Sequence, residues 1–111
     1  MTKLYTDNMQ LYKYRADILK SLSHPVRLAI VDFIADGEKC VCDIVEFLGE
    51  KQSSVSRHLA TLRNAGIVET RKDGLQVFYS LNTPCINGFF NCVDNIIRER
   101  HEENSKVISK M

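Results

Sequence analysis

The chain has 111 residues, a formal net charge of +1, 44% hydrophobic residues and 26% charged residues, which together fit one globular domain. No apolar run approaches the ~20 residues of a membrane span, and the N-terminal segment carries scattered charges in place of an apolar signal core. We therefore expect a single cytoplasmic domain over residues 1–111, without membrane contact, with a core at about residues 10–103 and a flexible C-terminal tail. In that compartment the four cysteines would stay reduced and serve in metal binding, redox chemistry or core packing.

Hydrophobic spacing predicts four helices in the first part of the chain, at about residues 8–21, 25–36, 41–48 and 52–66. We expect Ser23 to cap the second helix and Pro25 to occupy its first turn, because the missing N–H of proline has no helical partner there. Gly49 and Gly66 are expected to end the third and fourth helices, since glycine adopts a positive φ at little cost.

The sequence pattern then changes to that of strands, rich in β-branched and aromatic residues. Strands are predicted at Ile67–Arg71 and Gln76–Leu81, with a hairpin turn within residues 72–75. Thr83-Pro84 is expected to start a final helix that runs to about Glu103. Its apolar stripe consists of Ile86, Phe89, Phe90, Val93, Ile96 and Ile97. The predicted fold is mainly α with one β-hairpin.

The third and fourth predicted helices are separated by a tight, glycine-containing turn, the arrangement of a helix-turn-helix motif. In such motifs the N-terminal residues of the second helix, the recognition helix, enter the major groove of DNA. Here that helix opens with side chains that bond phosphates or base edges, namely Gln52, Ser53, Ser54, Ser56, Arg57 and His58. The alternative is a surface helix that Ser53 and Ser54 merely cap.

Charge is distributed unevenly around this motif. Residues 36–50 hold five acidic residues and one lysine, whereas residues 51–76 hold five Lys or Arg and two acidic residues. Arg71 and Lys72 lie near the predicted hairpin tip, where we expect them to reach phosphates or the minor groove. A hairpin tip with solvated charges would look the same in the sequence.

Three segments together resemble the ArsR/SmtB family of metal-responsive repressors. They are LSHPVRL at residues 22–28, EKCVCD at 38–43, and SSVSRHL with LRNAG at 53–66. The resemblance covers about residues 10–100. It implies a winged helix-turn-helix homodimer joined through its first and last helices. Such a dimer would bind a palindromic operator in double-stranded DNA and leave it when a ligand binds.

Cys40 and Cys42 resemble the Cys-x-Cys pair of the arsenic/antimony- and cadmium/lead-sensing branches of the family. Thiolates are soft ligands, and a helix N-terminus lowers the pKa of a thiol. Because residues i and i+2 of a regular helix point to opposite sides, we expect one ion to join both sulfurs only by distorting the helix start and misplacing the recognition helix. Two buried structural cysteines are the alternative.

As(III) or Sb(III) is the expected inducer, and DNA binding itself is expected to need no cofactor. Arsenite normally takes three thiolates, but no third cysteine follows the pair before Leu48. Cys85 or Cys92 on the final helix could complete the site, within one subunit or across two. Packing at the dimer interface is the alternative for these two residues.

Other ligands and functions stay open. A Cd(II), Pb(II) or Zn(II) sensor of the same fold is one alternative, although Ile96 stands where the family's zinc site on the final helix has its first histidine, beside Asp94 and His101. A redox- or persulfide-sensing repressor is another, although its closest resemblances use a cysteine where this chain has Val31. An enzyme is not indicated, because the sequence has no nucleophile–base pattern and no phosphate loop. A winged helix that binds protein instead of DNA fits the recognition helix poorly.

Overall fold

The computed structural model describes residues 8–101, so the expected C-terminal tail lies outside the described residues. The elements in chain order are α1 (Met9–Leu22), α2 (Pro25–Ile34), β1 (Lys39–Cys40), α3 (Val41–Leu48), α4 (Gln52–Asn64), β2 (Val68–Asp73), β3 (Gln76–Leu81) and α5 (Ile86–Arg100). The predicted order of helix, helix, helix-turn-helix, hairpin and helix is confirmed. No helix within residues 8–101 is long and apolar enough to cross a membrane.

The start of α2 corrects one predicted cap. His24, not Ser23, is the N-cap, because its Nδ1 accepts the backbone N–H of Val26 at 3.1 Å. An imidazole nitrogen without a proton is an acceptor, so it satisfies one of the N–H groups left without a partner at a helix start. Pro25 is the first residue of α2, as predicted.

The sheet has a strand that the sequence did not predict. The two-residue strand β1 pairs antiparallel with β3, with Lys39 opposite Tyr79 and Cys40 opposite Phe78. Because β3 also pairs with β2, the strand order is β1-β3-β2. The hairpin is therefore joined by hydrogen bonds to the segment that leads into α3.

The core lies among α2, α3, α4 and the start of β2. Its buried hydrophobic cluster comprises Leu22, Ile30, Val31, Ile34, Ile44, Val55, Leu59, Leu62, Ile67 and Val68. Within residues 8–101, α5 has no buried residue. Its apolar side chains, like those of α1 before Leu22, are left partly exposed. The large exposed hydrophobic residues of these two helices are Leu11, Tyr12, Tyr14, Ile18, Leu19, Phe89, Val93 and Ile96.

Candidate functional site

The turn between α3 and α4 sets the geometry of the helix-turn-helix motif. Gly49 ends α3 in the left-handed conformation, with φ of 66°. Lys51, in extended conformation, is the N-cap of α4. The inner side of α4 carries the fully buried Val55, Leu59 and Leu62. The start of α4 is consequently held by the core on one side and open to solvent on the other.

The predicted DNA-contacting side chains at the start of α4 differ in their surroundings. Gln52, Ser53, Ser56 and Arg57 are exposed. Ser54 is half-buried, and its hydroxyl donates to the Glu50 carboxylate at 3.4 Å. The exposed residues form a polar surface without a large hydrophobic side chain, which suits contact with base edges and phosphates.

His58 has different neighbours from the rest of the predicted set. It is half-buried, its Nδ1 accepts from Arg27 Nη1 at 3.2 Å, and its ring centroid lies 4.4 Å from that of His24. Burial, followed by electrostatic interactions with His24 and Arg27, lowers the pKa of His58. The sequence held a signal for this position, because residue 58 lies three after Val55 and four before Leu62, beside the buried stripe. Nothing in the sequence indicated Arg27 as its partner.

Arg71 on the hairpin is exposed but already engaged. Its Nη2 donates to Glu38 Oε1 at 2.6 Å and its Nε to Oε2 at 3.3 Å, while Asp73 lies 3.7 Å away. The guanidinium also covers the ring of Phe78 at 4.7 Å. The hydrogen bond from Arg71 holds the pKa of Glu38 below its ordinary value. Lys72, the other predicted cation of the hairpin, is exposed beside it.

Cys40 and Cys42 belong to different elements. Cys40 ends β1 and is the N-cap of α3, with extended backbone (φ −76°, ψ 158°), whereas Cys42 lies in the first turn of α3. Their Cα atoms are 5.4 Å apart, within the range for a disulfide, and the structure joins their sulfurs in one. Two expectations are thus corrected. The structure pairs the two cysteines in a disulfide where free thiols were expected, and the sulfurs converge beside a regular helix because Cys40 precedes that helix.

A carboxylate completes the cluster around the thiol pair. One oxygen of Asp43 and the sulfurs of Cys40 and Cys42 all lie within 4.8 Å of one another. Cys40 is buried, while Cys42 and Asp43 are exposed. In the described part of the chain this is the only group of three such ligands, and neither Cys85 nor Cys92, both exposed free thiols, belongs to it. The expected third thiolate is therefore not supplied within one subunit.

The thiol pair is connected to the hairpin through the sheet. Cys40 is opposite Phe78, and Phe78 is opposite Arg71 on the next strand. Two residues before Cys40, Glu38 binds the same arginine. One row of the sheet thus contains a sulfur of the candidate ligand site and a cation of the candidate DNA-binding surface.

Comparisons with known proteins identify the family. Residues 24–70 match the bacterial regulatory protein, arsR family. An uncharacterized HTH-type transcriptional regulator of Methanocaldococcus jannaschii is 36% identical over 89 residues, which are 79% of this chain and all of that protein. The chain belongs to the ArsR family. The family resemblance deduced from the sequence is thus confirmed.

Two further relatives of this ArsR-family protein have more specific names. The arsenical resistance operon repressor of Staphylococcus xylosus is 42% identical over 71 residues, covering 64% of this chain and 68% of that protein. The homodimeric winged helix-turn-helix DNA-binding domain from Mycobacterium bovis, solved by NMR, is 28% identical with a TM-score of 0.75. That match covers 86% of this chain and 89% of the other. The predicted winged helix-turn-helix fold is confirmed, with the β2–β3 hairpin as its wing. This ArsR-family protein is a DNA-binding transcriptional regulator, not an enzyme.

Proposed function

We propose that this ArsR-family protein is a cytoplasmic, homodimeric repressor that leaves its operator when Cys40 and Cys42, as thiolates, bind As(III) or Sb(III). The observation that carries the proposal is the position of the thiol pair. Its sulfurs lie together at the point where the sheet meets the first helix of the DNA-binding motif. The similarity to an arsenical resistance operon repressor supports the choice of inducer.

The DNA-binding surface combines α4 with the wing. Exposed or half-exposed polar residues at the start of α4 face the operator, and Arg71 and Lys72 on the wing reach its phosphates. The α4 residues in this role are Gln52, Ser53, Ser54, Ser56 and Arg57. Two copies of the surface, related by the dimer axis, bind half-sites whose centres are about 10 bp apart or a multiple of that distance.

The ligand site offers two soft donors and one hard donor. Reduced Cys40 and Cys42 supply sulfur, which thiophilic ions prefer, and Asp43 supplies oxygen. This donor set fits As(III) held through two sulfurs, with the third position left to Asp43 or to a thiol of Cys85 or Cys92 from the second subunit. Cys40 belongs to the sheet and Cys42 to α3, so fixing the two sulfurs fixes the wing relative to the helix-turn-helix motif.

Single replacements of the two cysteines by serine test the proposal. Serine keeps the size of the side chain but removes the soft donor, so Cys40→Ser and Cys42→Ser are expected to bind the promoter of the protein's own gene and to resist release by arsenite. Operator binding is measured by fluorescence anisotropy with protein kept reduced by a thiol reagent. Cys85→Ser and Cys92→Ser test whether either thiol is the third ligand, and a variant of the two that still responds to arsenite serves as the control. Release of both Cys40→Ser and Cys42→Ser by arsenite, as in the parent protein, would place the inducer site elsewhere.

A redox switch at the same pair is the second candidate, and the disulfide between Cys40 and Cys42 favours it. In that case two thiols lose two protons and two electrons to an oxidant such as a peroxide, and one S–S bond forms. The test compares operator binding by the reduced and the oxidised protein without any metal, followed by titration of the reduced protein with As(III), Cd(II), Pb(II) and Zn(II). Release by oxidation alone, with no response to the four ions, would replace the first proposal by this one.

A further inference from the structure

A cluster of three side chains connects the first helix to the recognition helix. Arg27, in the first turn of α2, donates from Nε to the carbonyl oxygen of Ser21 and from Nη2 to that of Lys20, both near the end of α1. Its remaining nitrogen, Nη1, reaches His58 on α4 at 3.2 Å. The ring of His24 lies against that of His58. One guanidinium thus joins the end of α1 to the middle of α4.

The hydrogen bonds determine the protonation state of both histidines. A guanidinium has donors only, so Nδ1 of His58 accepts, and its proton lies on Nε2. Nδ1 of His24 accepts the backbone N–H of Val26, so it also carries no proton. A proton on Nδ1 of His58 would point at the Arg27 guanidinium, and a proton on Nδ1 of His24 would point at the backbone N–H of Val26. The cluster as built therefore requires two neutral imidazoles.

All but one of the groups that influence the pKa of His58 lower it. Burial is the largest influence on the pKa of His58, and electrostatic interactions with His24, Arg27 and Arg57 lower that pKa further. Glu50, at the turn before α4, is the one group that raises it. His58 is consequently neutral at pH 7 and takes a proton only under more acidic conditions than an ordinary histidine.

We propose that His58 positions the recognition helix by accepting the hydrogen bond of Arg27, and that protonation of His58 releases this helix and weakens operator binding. His58 then makes no base contact of its own, unlike the exposed side chains that precede it on α4. The inference rests on DNA binding by the family's fold and is independent of the inducer proposed for Cys40 and Cys42.

The direction in which operator affinity changes with pH distinguishes a His58 that positions α4 from a His58 that contacts DNA directly. A histidine that touches a phosphate binds DNA more tightly when it is protonated, because it gains a positive charge. A histidine that must stay neutral to hold α4 has the opposite effect. Acidification is therefore expected to weaken operator binding, by up to about tenfold per pH unit for each proton taken up.

The test follows operator affinity by fluorescence anisotropy between about pH 7.5 and about pH 5.5 at constant ionic strength, with no metal added. In His58→Asn the amide oxygen stands near the position of Nδ1 and accepts without titrating. In His24→Asn the side chain remains a good N-cap. The double variant is expected to bind within about threefold of the parent at the higher pH and to lose most of the acid sensitivity. His101→Asn, which removes an exposed histidine at the end of α5, is the matched control and is expected to keep the parent's pH profile.

Two further measurements separate positioning from folding. Arg27→Met is expected to weaken operator binding and to raise the pKa of His58, since it removes both a donor and a neighbouring charge, while circular dichroism checks that the fold remains. Nitrogen NMR of the imidazoles is expected to show His58 protonated on Nε2 alone at neutral pH. Affinity that rises on acidification, a double variant with the parent's pH profile, or a proton on Nδ1 of His58 would each overturn the proposal.

Discussion

Arg71 is the residue whose availability for DNA differs most from the expectation. Its guanidinium is bound in a two-point contact by Glu38 and lies over Phe78. Both charged groups are exposed, and exposed ion pairs contribute little to stability because water screens them. The pair nevertheless competes with DNA, because a phosphate must displace Glu38 to receive the same donors.

Removing that competition is expected to tighten operator binding. In Glu38→Gln, Arg71 no longer has a charged acceptor at 2.6 Å, so affinity should rise about two- to fivefold. The salt dependence of operator affinity should become steeper, by up to about one additional counterion released from DNA for each subunit. Both are measured by anisotropy titrations at several salt concentrations.

Asp36→Asn is the matched control for this change. It removes one carboxylate from the same segment, but that carboxylate is bound to Lys39 at 2.8 Å and does not contact the wing. The hydrogen bond from Lys39 lowers the pKa of Asp36, so both variants lose a fully ionised group at neutral pH. An equal gain in affinity for Asp36→Asn would mean that net charge, not the release of Arg71, is responsible.

For individual residues, the sequence indicated the functional candidates well. It indicated the contacts that those residues make less well. Cys40 and Cys42 were identified from their resemblance to the family's Cys-x-Cys pair, and their cluster with Asp43 is present. The position of Cys40 before the helix was not predictable, because the helix boundary depends on pairing with β3, a strand more than thirty residues away. The contact between Arg27 and His58 was equally hidden, since 31 residues separate the two.

Among the elements, the regular helices were the most predictable. Their amphipathic spacing is a local property, and the start of α2 at Pro25 and the span of α3 match the expectation. Strand β1 was missed because two residues are too short to show an alternating pattern. Its existence depends on hydrogen bonds to β3, which a local pattern does not contain.

The turn of the helix-turn-helix motif depends on a glycine. Gly49 has φ of 66°, a conformation that costs other residues roughly 1–2 kcal/mol. Gly49→Ala is therefore expected to lower Tm by roughly 4–8 °C for each kcal/mol lost, as measured by thermal unfolding.

Gly88→Ala is the control, and it is expected to change Tm in the opposite direction. Gly88 lies inside α5, and within one chain an added Cβ would meet nothing within 4 Å. Alanine is favoured over glycine in a helix by roughly 0.5–1 kcal/mol, so Tm should rise. If Gly49→Ala raised Tm as Gly88→Ala does, the left-handed geometry of the turn would be wrong.

At the scale of the whole molecule, most of the large exposed hydrophobic side chains within residues 8–101 lie on α1 and α5. Ile96 is 52% exposed and Phe89 49%, values that a small domain rarely leaves open to water on a contiguous face. A cavity of about 530 Å³ between α1, α2 and α5 adds to this surface, and Leu19, Leu28 and Val93 are among its lining residues. A second copy of the chain would cover this face and bring two recognition helices into a fixed relation.

A charge on this face is expected to separate the dimer. Ile96→Glu would bury an unpaired carboxylate at the interface, which should raise the dimer dissociation constant at least about tenfold and weaken operator binding. Sedimentation analysis at micromolar concentration measures the assembly state.

Asn95→Glu is the control for the dimer. It adds the same charge on the side of α5 that faces away from Val93, two positions earlier. The glutamate carboxylate can also accept the hydrogen bond that Arg98 donates to the Asn95 amide oxygen. A parent protein that sediments as a monomer, or equal dissociation of both variants, would contradict an interface on α5.

The pairing of Cys40 with Phe78 restricts how such a regulator can diversify. Recombination that exchanges the wing for one of another specificity also replaces the strand that holds one of the two sulfurs in place. A graft restricted to the tip, residues 72–75, leaves every pair of β1 with β3 intact and is expected to preserve the response to the inducer proposed above. On the function proposed above, the body of the wing is therefore tied to the ligand site, whereas the wing tip and the outer face of α4 are free to vary alone.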